Sequence, residues 1–154
     1  MYALSASVEV NPAGATPVLS REQVWRGLVL KAENAVPFVP GMQSCVVLER
    51  QEDGLLREVV IHGDRFKERV TFTPRVEVYF ERVATAEHAG WITNVISESD
   101  RGLLLTFTFA VNFPGIAPGS EEERRHGEAM KSAYVSAIEG TLRAVRRLTM
   151  EGKL

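Results

Sequence analysis

The sequence predicts an α+β fold in which a curved antiparallel sheet of about seven strands wraps around a long C-terminal helix. In residues 120–151 the apolar side chains fall three and four positions apart, which is the spacing of one buried stripe on a helix. In residues 42–112 apolar and polar residues alternate between turn signals, as in antiparallel strands with one buried face. A helix of this length, about 45 Å at ~1.5 Å per residue, needs a broad apolar cover, and a curved sheet provides one.

The N-terminal part predicts one strand and one helix. Residues 2–11 alternate as a strand, and a proline-containing turn follows. A helix begins at Ser20, because Gln23 can complete a capping box, and Pro37 ends it. The linker of residues 36–41 is apolar and has room for at most a short helical turn. The predicted buried face of the helix consists of Val24, Trp25, Leu28, Val29 and Ala32.

Two-residue turns predict the registers of the first hairpins. A turn at residues 53–54 would set Leu48 against Val59. A turn at residues 63–64 would set Val59 against Glu68. Both registers place a row of apolar side chains on one face of the sheet, with Glu68 as its charged member.

The later turns predict two further hairpins. The next loop contains Pro74, and three loop residues there keep apolar side chains paired and set Glu68 against Arg82. The last hairpin joins residues 91–99 to residues 102–112. With the first strand, these segments give the seven expected strands.

The long helix carries start and stop signals. Ser120 and Glu123 can form a capping box at its N-terminus, and Gly152 ends it. Positive charge lies toward its C-terminus, where the helix dipole favours cations, at Arg143, Arg146 and Arg147.

The composition favours a single soluble domain, residues 1–154, and disfavours several kinds of partner. The chain is 45% hydrophobic and 25% charged, which is ordinary for one globular domain. A formal net charge of −2 gives no electrostatic reason to expect nucleic acid. No apolar run approaches bilayer length, and the N-terminus lacks the charged start and apolar block of a signal peptide. We therefore expect a cytoplasmic protein that does not insert into membranes.

We predict neither a metal nor another cofactor. The single Cys45 lies in a predicted strand, where a small core residue is favoured over a nucleophile. His62, His88 and His126 have no spacing that suits a metal. The chain has no serine–histidine–aspartate set and no glycine-rich phosphate loop, which weakens an enzymatic interpretation.

The order of elements is similar to the helix-grip fold of the START and Bet v 1-like (SRPBCC) superfamily. Three segments resemble the AtaL-like branch of this superfamily: FKERVTFTP (residues 66–74), WITNVISESDRGLLLTFTF (residues 91–109) and TLRAVRRLTMEGKL (residues 141–154). The resemblance covers essentially the whole chain. It implies that the first strand lies beside the last and that the sheet grips the C-terminal helix across a cavity. Many superfamily members bind lipids, sterols, hormones or aromatic polyketides there, and some are cyclases, whereas the AtaL-like branch supplies no activity that transfers to a residue here.

The predicted registers place a polar group on the inward face of the sheet. Glu68, Arg82 and Asn94 face inward, with Arg57 diagonal to Glu68. Buried charges need such partners because they lose their hydration. The group either fixes the polar end of a ligand or is a structural ion pair, and the structural interpretation is slightly favoured. The predicted apolar contact residues are Phe80, Ile92, Phe107, Met130, Tyr134 and Ile138.

The expected function is binding of a small hydrophobic molecule of the lipid, sterol or aromatic polyketide type between the sheet and the C-terminal helix. Two alternatives stay open. One is a polyketide cyclase or aldolase-type enzyme that uses Glu68, Arg82 and Asn94, and the other is a protein-interaction domain in which the cavity is a packed core. A homodimer also stays open.

Overall fold

One antiparallel sheet with helices packed on its inner face forms the core of the computed structural model, which describes residues 1–83 and 89–154. The strands in these residues are β1 (Tyr2–Glu9), β2 (Met42–Gln51), β3 (Gly54–Ile61), β4 (Asp64–Thr73), β5 (Glu77–Arg82), β6 (Gly90–Ser99) and β7 (Gly102–Val111). The helices in the described part are α1 (Arg21–Glu33), α2 (Glu121–Ala129) and α3 (Lys131–Met150). The strand order is β1-β7-β6-β5-β4-β3-β2, so the first strand pairs with the last. The predicted α+β architecture is confirmed.

Helices α1 and α3 share one apolar core with the sheet. Ile138 and Val145 of α3 are buried in the same cluster as Val24 and Leu28 of α1. The two helices approach closely at Gly27, where an added Cβ would lie 2.3 Å from Val145 Cγ2. A side chain at position 27 would therefore push α1 away from α3.

The start of α1 is as predicted, but part of its buried face is not. The Gln23 N–H donates to Ser20 Oγ at 3.2 Å, and the Ser20 N–H donates to Gln23 Oε1 at 2.8 Å, which completes the capping box. Trp25 and Val29 are only half-buried, whereas Lys31 is buried. The prediction overlooked Lys31 because a lysine is seldom buried without a polar partner, and the fold supplies one.

The predicted register between β2 and β3 is wrong. Residues 52–53 form the turn, and Gly54 is the first residue of β3. An added Cβ on Gly54 would lie 2.0 Å from the Val70 carbonyl oxygen, so the glycine serves a close strand contact rather than the turn. A register shift at Leu48 then turns this side chain outward, 48% exposed and away from Val59.

The next hairpin also turns one residue earlier than predicted. His62 and Gly63 have φ values of 52° and 92° and form the two-residue turn between β3 and β4. The pairing moves by two residues, so Arg57 lies directly opposite Glu68 instead of diagonal to it, and the predicted pairing of Val59 with Glu68 is wrong. A shift of two residues keeps every side chain on its predicted face of the sheet.

The predicted registers of the remaining hairpins are confirmed. Glu68 pairs with Arg82 across β4 and β5, as the three-residue loop requires. Asn94 pairs with Phe107 across β6 and β7, which turn at residues 100–101. These pairs place the inward faces of β5, β6 and β7 side by side.

The predicted single C-terminal helix is two helices that meet at Met130. Helix α2 packs on β1, where an added Cβ on Gly127 would lie 2.3 Å from the Tyr2 ring. Helix α3 buries its apolar stripe in the main core. Both helices also contact β1, and regular helical hydrogen bonding is interrupted between them at Met130.

Of the capping box predicted at Ser120 and Glu123, one hydrogen bond is present and the other is not. Ser120 Oγ accepts a hydrogen bond from the Glu123 N–H at 3.1 Å. The Glu123 carboxylate does not complete a capping box, because it accepts from the Gly119 N–H at 2.7 Å and pairs with the N-terminal ammonium at 3.0 Å. The carboxylate therefore ties the start of β1 to the start of α2.

Candidate ligand-binding cavity

A cavity of about 260 Å³ lies between the sheet and α3. It is bounded by the inward face of β5, β6 and β7, by α1 and by the linker of residues 36–41. Its lining residues are Lys31, Val39, Ile61, Arg82, Ile92, Asn94, Phe107, Phe109, Val111, Met130, Tyr134, Ala137 and Thr141. The surface is mainly apolar, and a few polar groups are gathered within it.

Six of the ten residues predicted to contact a ligand line this cavity. These six are Arg82, Ile92, Asn94, Phe107, Met130 and Tyr134. The other four are buried in the protein but do not line the cavity, namely Arg57, Glu68, Phe80 and Ile138. Arg57 and Glu68 form an ion pair with each other, and Phe80 and Ile138 belong to the packed core.

The ten predicted contact residues leave out other lining residues whose positions follow from periodicity. Phe109 and Val111 alternate with Phe107 along β7 and therefore share its inward face. Lys31 lies three residues after Leu28, on the buried stripe of α1. Treating a charged residue as part of that stripe would have identified it.

Aromatic side chains fix the position of Tyr134. Its ring contacts the Phe109 ring edge-to-face, with centroids 4.6 Å apart, and the Phe107 ring at 6.4 Å. The Tyr134 hydroxyl is buried and has no hydrogen-bond partner among the described residues. Burial raises the pKa of this hydroxyl, so it stays protonated near neutral pH and can donate a hydrogen bond.

Lys31 is the principal polar residue of the cavity. It is 8% exposed, and its Nζ donates to Asn94 Oδ1 at 2.7 Å and lies 4.1 Å from the centroid of the Phe107 ring. Burial and, to a smaller extent, the charge of Arg57 lower the pKa of Lys31, the charge of Glu68 raises it, and the net result is a pKa of about 7. Much of Lys31 is therefore an uncharged amine near neutral pH.

Arg57 connects the sheet to the C-terminus of α1. Its Nε and Nη2 donate to Oε2 of Glu68 at 2.8 and 2.6 Å, and both side chains are buried. Its Nη1 donates to the carbonyl oxygens of Lys31 at 3.2 Å and Ala32 at 2.8 Å. The guanidinium thus satisfies carbonyls at the helix end, where the dipole favours a positive charge. This arrangement agrees with the structural interpretation of Glu68.

The cavity wall contains hydrogen-bond donors that the described residues do not use. Arg82 does not form an ion pair with Glu68 in the described part of the chain, and its guanidinium lies over the Phe66 ring, with its carbon 4.2 Å from the ring centroid. Its Nε is buried and lacks a hydrogen-bond partner within residues 1–83 and 89–154. The same holds for Nδ2 of Asn94, whose residue is fully buried. Together with the Tyr134 hydroxyl, these atoms can bind an acceptor oxygen.

A cleft leads from the surface toward the cavity. It has a volume of about 910 Å³ and lies between the linker of residues 36–41 and α3. Val39 and Ala137 line both the cleft and the cavity. The linker contains one helical turn, in which the Val39 N–H donates to the Ala35 carbonyl at 2.9 Å. This linker is therefore the boundary between the cavity and solvent on that side.

Other kinds of site find little support in the described residues. No group of three or more histidine, cysteine, aspartate or glutamate residues in the described ranges could hold a metal ion. Two of the three histidines, His62 and His126, belong to these ranges, and His88 lies outside the described residues. Among the helices that the structure describes, none is both long and apolar enough to cross a membrane.

Comparison with known proteins gives one family match. The model of the family AtaL, acetylaranotin biosynthesis cluster protein L, matches residues 4–152. A search of curated proteins gave no match.

Comparison with solved structures shows the fold. The Zhui aromatase/cyclase from Streptomyces sp. R1128 aligns with a TM-score of 0.67 and 18% identity, over 96% of this chain and 95% of that one. A START superfamily protein from Mycobacterium smegmatis aligns with a TM-score of 0.62 and 19% identity, over 92% and 97% of the two chains. The di-domain ARO/CYC StfQ, from the steffimycin biosynthetic pathway, aligns with a TM-score of 0.67 and 11% identity over 97% of this chain, which spans only 51% of StfQ. The expected helix-grip fold of the START and Bet v 1-like superfamily is confirmed.

Proposed function

Since the chain belongs to the family of acetylaranotin biosynthesis cluster protein L, we propose that it binds a small, mainly apolar molecule in the cavity between the sheet and α3. The ligand carries at least one oxygen that accepts hydrogen bonds. Ligand sites of this kind combine an apolar wall with a few placed polar groups that fix orientation.

The buried, unpartnered donors carry this proposal. Asn94 Nδ2, Arg82 Nε and the Tyr134 hydroxyl lack partners among the described residues, and each residue lines the cavity. A buried donor without a partner costs about 1–3 kcal/mol, so a ligand that supplies an acceptor gains this free energy on binding. A ligand without an acceptor leaves the donors unpaired. The site therefore favours a carboxylate, a carbonyl or a phenolic oxygen over a pure hydrocarbon.

The volume of the cavity narrows the ligand class. At about 260 Å³ it lies just below the range of ~300–1,000 Å³ that is usual for small-molecule sites. One or two fused rings fit this space, whereas a sterol would also have to occupy the cleft beside α3. Among the expected ligand types, a small aromatic polyketide or a similar aromatic acid fits best.

Thermal unfolding with a matched pair of ligands tests the proposal. We expect 2-naphthoate, which has an acceptor, to raise the melting temperature by about 5–10 °C at a hundredfold excess over its dissociation constant. Naphthalene, which has the same rings and no acceptor, should give a much smaller shift. Wild-type protein that is stabilised equally by both compounds would contradict the role of the donors.

A pair of variants locates the binding site. Met130→Trp should fill the cavity and abolish the shift with 2-naphthoate while the free protein stays folded, since Met130 lines the cavity. Met150→Trp makes the same change at a position that is 67% exposed, at the C-terminal end of α3, and it should keep the shift. Loss of the shift in both variants, or in neither, would exclude this cavity as the site.

The two alternative functions have weaker support. A cyclase or aldolase-type enzyme that uses Glu68, Arg82 and Asn94 would need all three at the ligand, and Glu68 is held by Arg57 away from the cavity surface. A protein-interaction domain with a packed core does not account for a cavity that contains unpartnered donors.

A further inference from the structure

We propose that Lys31 forms an imine with an aldehyde or ketone ligand in the cavity. This inference rests on the proposed function and adds a covalent step and a ligand class, a carbonyl compound with a small apolar body. Three observations support it: the position of the Lys31 amine, the groups around this amine and the apolar wall of the cavity.

The position of the amine leaves it free to act as a nucleophile. Lys31 lines the cavity, and its Nζ donates one hydrogen bond to Asn94 Oδ1 at 2.7 Å. The carboxylate of Glu68, which could otherwise hold Lys31 as an ammonium, is bound by Arg57 at 2.6 Å. An uncharged amine that donates to Asn94 keeps its lone pair, and this lone pair can attack a carbonyl carbon.

The charged and titratable groups around Lys31 favour the uncharged amine. Arg57 from β3 brings the positive charge that lowers the pKa of Lys31, Arg82 from β5 lines the same cavity, and Glu68 from β4 brings one negative charge that is already paired. Tyr134 from α3 contributes a hydroxyl that stays protonated. The buried amine therefore loses hydration without gaining a carboxylate of its own, which is the setting that lowers the pKa of a lysine.

The unpartnered donors can activate the carbonyl group. A carbonyl oxygen bound by Asn94 Nδ2, Arg82 Nε or the Tyr134 hydroxyl is polarised, and its carbon becomes more electrophilic. The Lys31 nitrogen forms a C–N bond to this carbon, and a proton passes from nitrogen to oxygen to give a carbinolamine. The C–O bond then breaks, the hydroxyl leaves with a second proton as water, and a C=N bond remains. The step releases one water and needs no oxidant or reductant.

Reductive trapping with 2-naphthaldehyde tests this inference. Sodium cyanoborohydride in the mixture delivers hydride to the imine and leaves a stable secondary amine, which intact-mass and peptide-mass spectrometry detect. At pH 7.5 we expect the adduct on Lys31 at least about a hundredfold faster than on a lysine with an ordinary pKa near ~10.4, because few such side chains are uncharged. The exposed residues Lys67, Lys131 and Lys153 are controls within the same sample.

The pH profile and one variant separate a reactive amine from a merely accessible one. The rate of trapping on Lys31 should rise through pH 7 and then level off, whereas the rates on the exposed lysines should still be rising at pH 9. Lys31→Met should abolish the cavity adduct, and circular dichroism shows whether this variant is folded. An adduct that appears only on the exposed lysines or the N-terminal amine overturns the proposal.

Binding of 2-naphthoate separates this inference from the proposed function. A carboxylate cannot form an imine, so stabilisation of the wild type by 2-naphthoate reports non-covalent binding alone. Stabilisation without a Lys31 adduct overturns the imine and leaves the binding function in place. Absence of both the stabilisation and the adduct overturns both.

Discussion

Replacing Lys31 by methionine should make the stability of the protein less dependent on pH. Burial and the charge of Arg57 lower the pKa of Lys31 from 10.5 to about 7 in the folded protein. Between these values the unfolded chain binds a proton at Lys31 and the folded protein does not, so the free energy of unfolding of the wild type rises with pH. Below pH 7 the full penalty for protonating a buried amine applies.

The size of the effect follows from the two pKa values. Each pKa unit corresponds to about 1.4 kcal/mol, so the free energy of unfolding of the wild type should rise by on the order of 3 kcal/mol between pH 6 and pH 9.5. Lys31→Met has no amine at this position and should not show this rise. The variant also leaves Asn94 Oδ1 without its donor, which costs about 1–3 kcal/mol at every pH. Because this second cost is the same at every pH, it cancels when the stability difference between Lys31→Met and the wild type is compared at two pH values. The change that remains is due to the titration of Lys31.

Urea unfolding at pH 6 and pH 9.5 measures this difference. Relative to the wild type, Lys31→Met should be more stable at pH 6 by about 1–3 kcal/mol and should lose this advantage at pH 9.5. Lys67→Met, at an exposed position on β4, should differ from the wild type by the same amount at both pH values. A Lys31→Met effect that agrees within about 0.5 kcal/mol at the two pH values would refute the reasoning, since additivity errors are of that size.

Two further predictions concern the packing behind the cavity. Arg57→Met should destabilise the fold by about 3–5 kcal/mol, because it leaves the buried Glu68 carboxylate unpaired, and combining it with Glu68→Gln should recover part of this loss. Gly27→Ala should cost about 1–3 kcal/mol, because its Cβ would lie 2.3 Å from Val145 Cγ2. Gly140→Ala, on α3, meets only a flexible arginine end at 3.5 Å and should be neutral or stabilising by up to about 1 kcal/mol.

Chemical denaturation of the single and double variants decides both points. Additive losses for Arg57→Met and Glu68→Gln would show that the two side chains are not coupled in the folded state. Equal effects of the two glycine substitutions would show that the crossing of α1 and α3 tolerates a methyl group at position 27.

The sequence was sufficient for the fold wherever local patterns agreed with the tertiary contacts. The loop around Pro74 and the turn at residues 100–101 were assigned correctly, because shifting either hairpin by one residue would have turned its apolar side chains to solvent. The turns before β3 and β4 were each placed one residue late. At these turns the observed and the predicted pairings place the side chains of β3 and β4 on the same faces of the sheet. Hydrophobic alternation therefore cannot distinguish the two pairings. The shift at Leu48 in β2 has no signal in the local sequence.

The candidate site could be predicted only in part, for a related reason. Strand periodicity identified the inward residues Asn94 and Phe107, which line the cavity. Helix periodicity places Lys31 on the buried stripe of α1, but it does not show that a charged residue there is buried, because this depends on the fit between α1 and the sheet and on the carbonyl contacts of Arg57. Sequence periodicity also did not separate the residues of the packed core, such as Ile138 of α3, from those on the cavity surface. That distinction depends on how α3 packs against the sheet, which is a tertiary contact.

The ion pair of Arg57 and Glu68 also bears on how the proposed ligand preference of this chain can change during evolution. The pair holds the end of α1, and hence Lys31, from behind the cavity wall, where no ligand atom needs to touch it. Substitutions at wall positions such as Ile92 and Val111 therefore alter the shape of the accessible space without disturbing the groups that position the amine. Under the proposed function, selection can thus act on the apolar part of the ligand independently of its polar end.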